Sequence, residues 1–194
     1  MFEEIRTKRL TLRALENRDA QRIFEYRSSH DVYRFQSWGT DSAHVIESYV
    51  VNSAAGEPGT PGPWYQIGIT QSPTELIGDC AFRILESEPR QAEIGIALAP
   101  DFQKRGYATE ALQALLDYLF VKLEKHRVLG SVDPSNLSSI KPLQRVGMRE
   151  EAHFIKSLWF KGEWVDDVIF AILAREWNSS NTRAAPGKPT TLIF

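Results

Sequence analysis

The chain is poor in the groups that build cross-links and metal centres. Its single cysteine, Cys80, cannot close an internal disulfide or supply a zinc cluster, which fits a reducing compartment. The four histidines, His30, His44, His126 and His153, show no ligand spacing, so no metal is expected. No apolar run approaches the ~18 residues that a membrane span needs. The first residues, Met1 to Arg6, lack the apolar core of a signal peptide, so the expectation is a cytoplasmic, soluble protein without a membrane partner. A formal net charge of -2 gives no global pull toward nucleic acid. There is no internal repeat.

What is present is an ordinary balance, 42% hydrophobic and 25% charged residues over 194 positions. That is enough for one domain with a real core, placed over residues 1–177. From Asn178 the chain is polar, with Pro186, Gly187 and Pro189, and a flexible tail over 178–194 is expected. Alternation predicts a first strand over Arg9 to Arg13. Asn17 or Asp19 caps a helix carrying Ile23, Phe24 and Tyr26, and Asp41 or Ser42 starts a second through Val45, Ile46, Tyr49 and Val50. Breakers crowd residues 56–63. A three-strand meander follows over Trp64 to Thr70, Glu75 to Ile84 and Ala92 to Leu98. An apolar stripe at three- and four-residue steps marks a helix over Ala108 to Leu123. Then come a strand over Val128 to Val132, a helix from Ser135 or Asn136 to near Gly147, and a hairpin of Phe154 to Phe160 and Trp164 to Leu173 about Lys161-Gly162. The strand–helix–strand unit demands one parallel pair and the hairpins supply antiparallel ones. The expected fold is therefore α/β, a mixed, mostly antiparallel sheet of about seven strands with helices on both faces.

One stretch carries chemistry. After the strand ending at Leu98, the loop Gln103-Lys104-Arg105-Gly106-Tyr107-Ala108 opens a helix. A helix start has free N–H groups and a positive dipole end, and the small residues Gly106 and Ala108 let an anion approach them. This suits a phosphate or pyrophosphate held without a metal.

Gln103-x-x-Gly106-x-Ala108 in this setting resembles the acetyl-CoA signature of the GNAT superfamily of N-acetyltransferases. Thr7-x-Arg9-Leu10-x-Leu12-Arg13 and Ile77-Gly78-Asp79 are similar to its RimJ/RimL-like branch. So are Asp133-x-x-Asn136-x-x-Ser139 with Gly147-Met148, Gly162-x-Trp164-x-Asp166, and Arg175-Glu176-Trp177. The likeness covers residues 5 to 177 and implies the GNAT acyl-CoA N-acyltransferase fold.

The resemblance implies that N–H groups from Lys104, Arg105, Gly106, Tyr107, Ala108 and Thr109 grip the CoA pyrophosphate. Arg105 adds charge and Gln103 orders the turn. The strand before the loop offers its backbone to the pantetheine arm, with the Leu98 N–H as donor to the thioester oxygen. Asn136 contacts the CoA arm, and Ser139 protonates or hydrogen-bonds the leaving thiolate. Both also suit plain capping of a helix start. The tyrosine acid of many GNAT enzymes falls at Leu143 here and is absent, and Pro142 lies inside the same helix. Glu93 is the first candidate base, with Asp79 and Asp166 behind it, and an exposed cross-strand charge is the bland reading of Glu93. The glutamate of some RimL-type enzymes falls at Leu158. Tyr33, Phe35, Trp38, Trp64, Tyr65, Trp159 and Trp164 are candidates for walls of an acceptor pocket.

The implied activity is transfer of acetyl from acetyl-CoA to a primary amine, a protein N-terminus or a small molecule, by direct attack in a ternary complex. A homodimer is an open expectation. The alternatives are a non-catalytic acyl-CoA sensor or scaffold and a nucleotide-binding protein. The missing Lys-Ser or Lys-Thr pair after the glycine disfavours a P-loop.

Overall fold

The alternating apolar segments all join one sheet. The computed structural model describes residues 2–36, 46, 48, 50, 56–72 and 75–178. Eight strands stand in the order β1-β2-β3-β4-β5-β6-β8-β7. They are β1 (Ile5–Arg6), β2 (Thr11–Ala14), β3 (Tyr65–Ser72), β4 (Glu75–Ile84), β5 (Gln91–Leu98), β6 (Arg127–Val132), β7 (Arg149–Phe160) and β8 (Glu163–Leu173). Every neighbouring pair is antiparallel except β5 and β6. The mixed, mostly antiparallel sheet expected from the sequence is thus present, with one strand more because Ile5–Arg6 adds a two-residue edge to β2.

Among the described residues, the α-helices include α1 (Ala20–Arg27), α2 (His30–Tyr33), α3 (Tyr107–Asp117) and α4 (Leu137–Arg145). They divide between the faces, and so does the core. Tyr107, Ala111, Leu112 and Leu115 of α3 and Leu143 of α4 share one cluster with Phe82, Ile94, Leu98, Val128 and Phe170. Ile23 and Tyr26 of α1 share the other with Val32, Ile46, Val50 and Ala97. Alternation along a strand therefore assigns each side chain to the α3 face or the α1 face.

Several boundaries differ from the expectation. A short 3-10 turn, Asn17–Asp19, precedes α1, and its cap is Glu16, joined to Asp19 in a capping box. The helix over the apolar stripe ends at Asp117 and widens into a π-turn over Tyr118–Lys122, which still buries Leu119. The last hairpin begins at Arg149, five residues before Phe154. Ile46 and Val50 are helical and buried, but Asp41, Ser42, Val45 and Tyr49 of the expected second helix lie outside the described residues, as do His44 and Trp38. The tail from residue 179 onward does too.

Candidate active site

The site forms where two parallel strands part. β5 pairs with β6 only from Gln91↔Arg127 to Glu93↔Leu129. Beyond that point β5 stays on β4 as far as Leu98, and β6 stays on β8 as far as Val132. A wedge opens between them. The Leu85 N–H donates to Gln91 O, and the Ala99 N–H donates to Ile77 O. The two-residue alternation then turns the N–H and C=O groups of Ile94, Ile96 and Leu98 into the wedge. Gly78 keeps β4 and β5 together at its mouth: a Cβ there would stand 2.4 Å from the Ala97 oxygen.

The loop after β5 closes one end. Gln103 Nε2 donates to the Leu98 carbonyl at 3.0 Å, which ties loop to strand. Lys104 and Gly106 both have positive φ, 61° and 82°, a geometry that tilts successive N–H groups toward one concave side. Gly106 is the residue just before α3, and its carbonyl accepts the Glu110 N–H at 3.1 Å. Among the described residues, nothing within the chain accepts the N–H groups of Lys104, Arg105, Gly106, Tyr107, Ala108 or Thr109. The Thr109 hydroxyl is buried and likewise has no partner. Beside this cradle runs an open groove of about 1060 Å³ lined in part by Arg9, Gly106, Thr109, Gln113 and Arg145.

A clasp from the N-terminal segment braces the loop. Arg9 donates through Nη1 to the Arg105 carbonyl at 3.0 Å and through Nε to Glu110 Oε2 at 2.6 Å. Glu110 Oε1 accepts from the Arg9 N–H at 2.8 Å and from the Thr7 hydroxyl at 2.6 Å. The Arg9 guanidinium also lies over the Tyr107 ring, 4.6 Å from its centre, and the Tyr107 hydroxyl accepts from Gln71 Nε2 at 2.9 Å. Sequence reading saw Thr7 and Arg9 only as family marks. Glu110 was missed, because its partners lie about a hundred positions away.

At the far side of the wedge, Asn136 is the N-cap of α4, and its Oδ1 accepts the Ser139 N–H at 3.2 Å. The capping reading of Asn136 is therefore met, and its amide nitrogen stays available to a ligand. Leu143 is buried in the core. On the α1 face, Glu93 Oε2 accepts from Arg83 Nε at 2.8 Å and Nη2 at 2.5 Å, and Arg83 lies over the Trp64 ring. Asp79 is fully enclosed and held by Tyr26 and Arg27, so it serves the core under α1 rather than proton transfer. Asp166 accepts from His153 and from the Lys156 N–H, and that main-chain bond above all holds its carboxyl below the usual range. Burial pushes the Cys80 thiol far up, which disfavours the reactive thiolate.

Of the aromatic candidates, Tyr65 is not a pocket wall. It is buried on the α3 face against Phe2 and Phe82, because alternation turns it away from Gln66 and α1. Trp159 and Trp164 meet edge to face, exposed near the hairpin turn. Tyr33 does border the α1 side: Lys161 at the turn donates to its carbonyl at 2.6 Å and covers its ring. Among the described residues, no three His, Cys, Asp or Glu side chains gather to hold a metal, and no helix is long and apolar enough to cross a membrane.

A family model described as an acetyltransferase (GNAT) domain matches residues 9–149. The chain belongs to the GNAT acetyltransferase family. This GNAT protein is 34% identical over 174 residues to the uncharacterized N-acetyltransferase YnaD of Bacillus subtilis, covering 90% of this chain and 99% of the other. It is 25% identical over 177 residues to the [ribosomal protein uS5]-alanine N-acetyltransferase of Escherichia coli, covering 88% and 91%. A solved GNAT-family acetyltransferase from Bacillus anthracis superposes with a TM-score of 0.80 at 28% identity, covering 90% of this chain and all of that one.

Proposed function

We propose that this GNAT protein transfers an acetyl group from acetyl-CoA to a primary amine by direct attack in a ternary complex. The observation that carries the reading is the row of unpartnered N–H groups from Lys104 to Thr109 at the start of α3, beside a wedge of open β5 backbone. Six adjacent donors at a helix start suit a pyrophosphate, and the φ of 82° at Gly106 that shapes their turn is one a side chain tolerates poorly. The orphaned Thr109 hydroxyl fits an oxygen-rich ligand in the same place.

In this reading the amide-bearing pantetheine arm lies along Ile94 to Leu98 as an added strand would. The Leu98 N–H then meets the thioester oxygen, whose charge grows during attack, so the fixed donor lowers the barrier. Ser139, one turn into α4, gives the leaving sulfur a proton. A thiol has a pKa of about 8.5, so that proton assists without being indispensable. Proton removal from the amine falls to a carboxylate on the α1 face. Glu93 is the candidate that the sequence singles out, with Oε2 held by Arg83 and Oε1 open. The burial of the Cys80 thiol speaks for direct attack rather than an acyl-cysteine route. Kinship with the RimJ/RimL-like branch, and so a protein N-terminus as acceptor, draws support from the Thr7-x-Arg9 clasp and from the uS5-directed relative.

The test is a thiol-release assay with acetyl-CoA and amines including peptides that begin with Ser, Ala and Met, run beside a melting curve with CoA. The reading expects a raised melting temperature and amine-dependent thiol release. A CoA shift without release on any amine favours the sensor reading, for which the loss of the family tyrosine at Leu143 speaks.

A further inference from the structure

Of the carboxylates near the wedge, Asp79 is enclosed by Tyr26 and Arg27, Glu93 is gripped by Arg83, and Asp166 is held by His153 and the Lys156 N–H. Asp167 differs. It is half-buried on β8, next to Val168, which points into the α3-face core, so alternation turns Asp167 to the α1 face. There its Oδ1 accepts the Ser131 hydroxyl at 2.6 Å, and among the described residues nothing donates to Oδ2.

The register places this pair at the mouth of the wedge. Glu93 is the last residue of β5 paired with β6, opposite Leu129, so two residues on Gly95 faces Ser131 across the widening gap. A Cβ built on Gly95 meets nothing within 4 Å, so the α1 face is open above it. The hairpin turn bridges to α2 through Lys161 and Tyr33 and roofs the same side. The open floor at Gly95 is thus flanked by the Glu93–Arg83 pair, which spans β5 and β4, and by Ser131 with Asp167 beyond.

We infer that Asp167, oriented by Ser131, receives the ammonium of the acceptor and takes its proton. The inference rests on the acetyltransfer reading and names the acceptor class, an amine that arrives as a cation. Amines with a pKa of about 8 to 10 reach a neutral site mostly protonated. One N–H proton passes to Asp167, and the freed lone pair forms the bond to the thioester carbon. The carbon–sulfur bond then breaks, Ser139 gives the departing sulfur its proton, and the second N–H proton of the amine replaces the one Ser139 gave up. Glu93, neutralised by Arg83, is left to shape the floor.

The experiment compares D167N, D167E, S131A and E93Q with the unaltered protein. Each is assayed for thiol release with acetyl-CoA and peptides beginning with Ala, Ser and Met or spermidine, and each is melted with and without CoA. D167N is expected to lower kcat/KM about 100-fold or more while its CoA-induced melting shift stays that of the unaltered protein. D167E regains part of the loss. S131A falls about tenfold, and S131T restores it, an outcome that a packing role for Ser131 does not produce. D167N within threefold of the unaltered protein overturns the inference, as does E93Q losing more than D167N. If D167N does not fold, S131A with full activity overturns it equally. An unaltered protein that shifts with CoA but acetylates none of these amines contradicts the inference and leaves CoA binding standing. Absence of any CoA shift strikes the acetyltransfer reading itself.

Discussion

Arg9 and Glu110 are joined twice, main chain and side chain, by bonds of 2.8 Å and 2.6 Å to the two oxygens of one carboxylate. This pair fixes the first turn of α3 to the strand edge and, through the Arg105 carbonyl, sets the shape of the loop whose amides are open. E110A removes the carboxylate that accepts from the Arg9 N–H, the Arg9 Nε and the Thr7 hydroxyl. It is expected to cost about 1 to 3 kcal/mol of stability and to weaken CoA binding more than catalysis. Chemical denaturation and calorimetric titration with CoA measure the two losses separately.

The same carboxylate gives the protein an acid limit. Burial alone raises the Glu110 carboxyl, but the bonds from Thr7 and Arg9 outweigh it, so the group sits below the usual glutamate range in the folded chain. The unfolded chain then binds the proton more readily. The contribution is present above the ordinary glutamate value, about pH 4.3, and is lost as pH falls through the lower folded value. The melting temperature is expected to fall on acidification from about pH 5 to 3, and less steeply in E110Q.

Gly106 carries a φ of 82°, which a side chain tolerates poorly, and a Cβ would also approach Arg9 Nη2 at 3.4 Å. G106A is expected to cost about 1 to 2 kcal/mol. G106W is expected to remain folded and to lose the CoA-induced melting shift, because the ring covers the open amides. Circular dichroism and thermal melts with CoA check both.

Asp79 lies under α1 with Arg27 and Tyr26, all nearly inaccessible. Removing the carboxylate takes away the acceptors of the Tyr26 hydroxyl and of the Arg27 Nε and Nη2 groups. D79A is expected to lose about 3 to 5 kcal/mol, read as a lower denaturation midpoint. D79A with R27M is expected to recover part of it, since the buried guanidinium that faced the carboxylate is then gone too.

Cys80 is wholly buried, so its thiol is expected to resist alkylation in the folded protein and to react on unfolding. C80A is expected to keep its acetyltransfer rate. An acyl-cysteine route predicts loss of that rate instead.

How far the sequence spoke depended on the range of each contact. The strand, loop and helix from Ala92 to Leu116 were legible because period-two and then three-to-four-residue apolar spacing is local. The helix end was not, since Leu119 keeps its place in the stripe while the turn widens to π geometry. The start of β7 was hidden because Arg149, Glu150, Glu151 and His153 are edge residues with no buried alternation to show. The loop's bracing was illegible for a different reason: Arg9 and Glu110 are 101 positions apart. The role of Asp167 likewise depends on register across the wedge, which no spacing along the chain encodes.

The most direct test of the central claim is an amide NMR titration of the isotope-labelled protein with CoA. The largest downfield shifts are expected at the N–H groups of Lys104 to Thr109, where donors without a partner gain phosphate oxygens, followed by the Leu98 N–H. If CoA binds while those six amides stay unmoved, or if saturating CoA moves no resonance, the cradle is not a pyrophosphate site and the account fails.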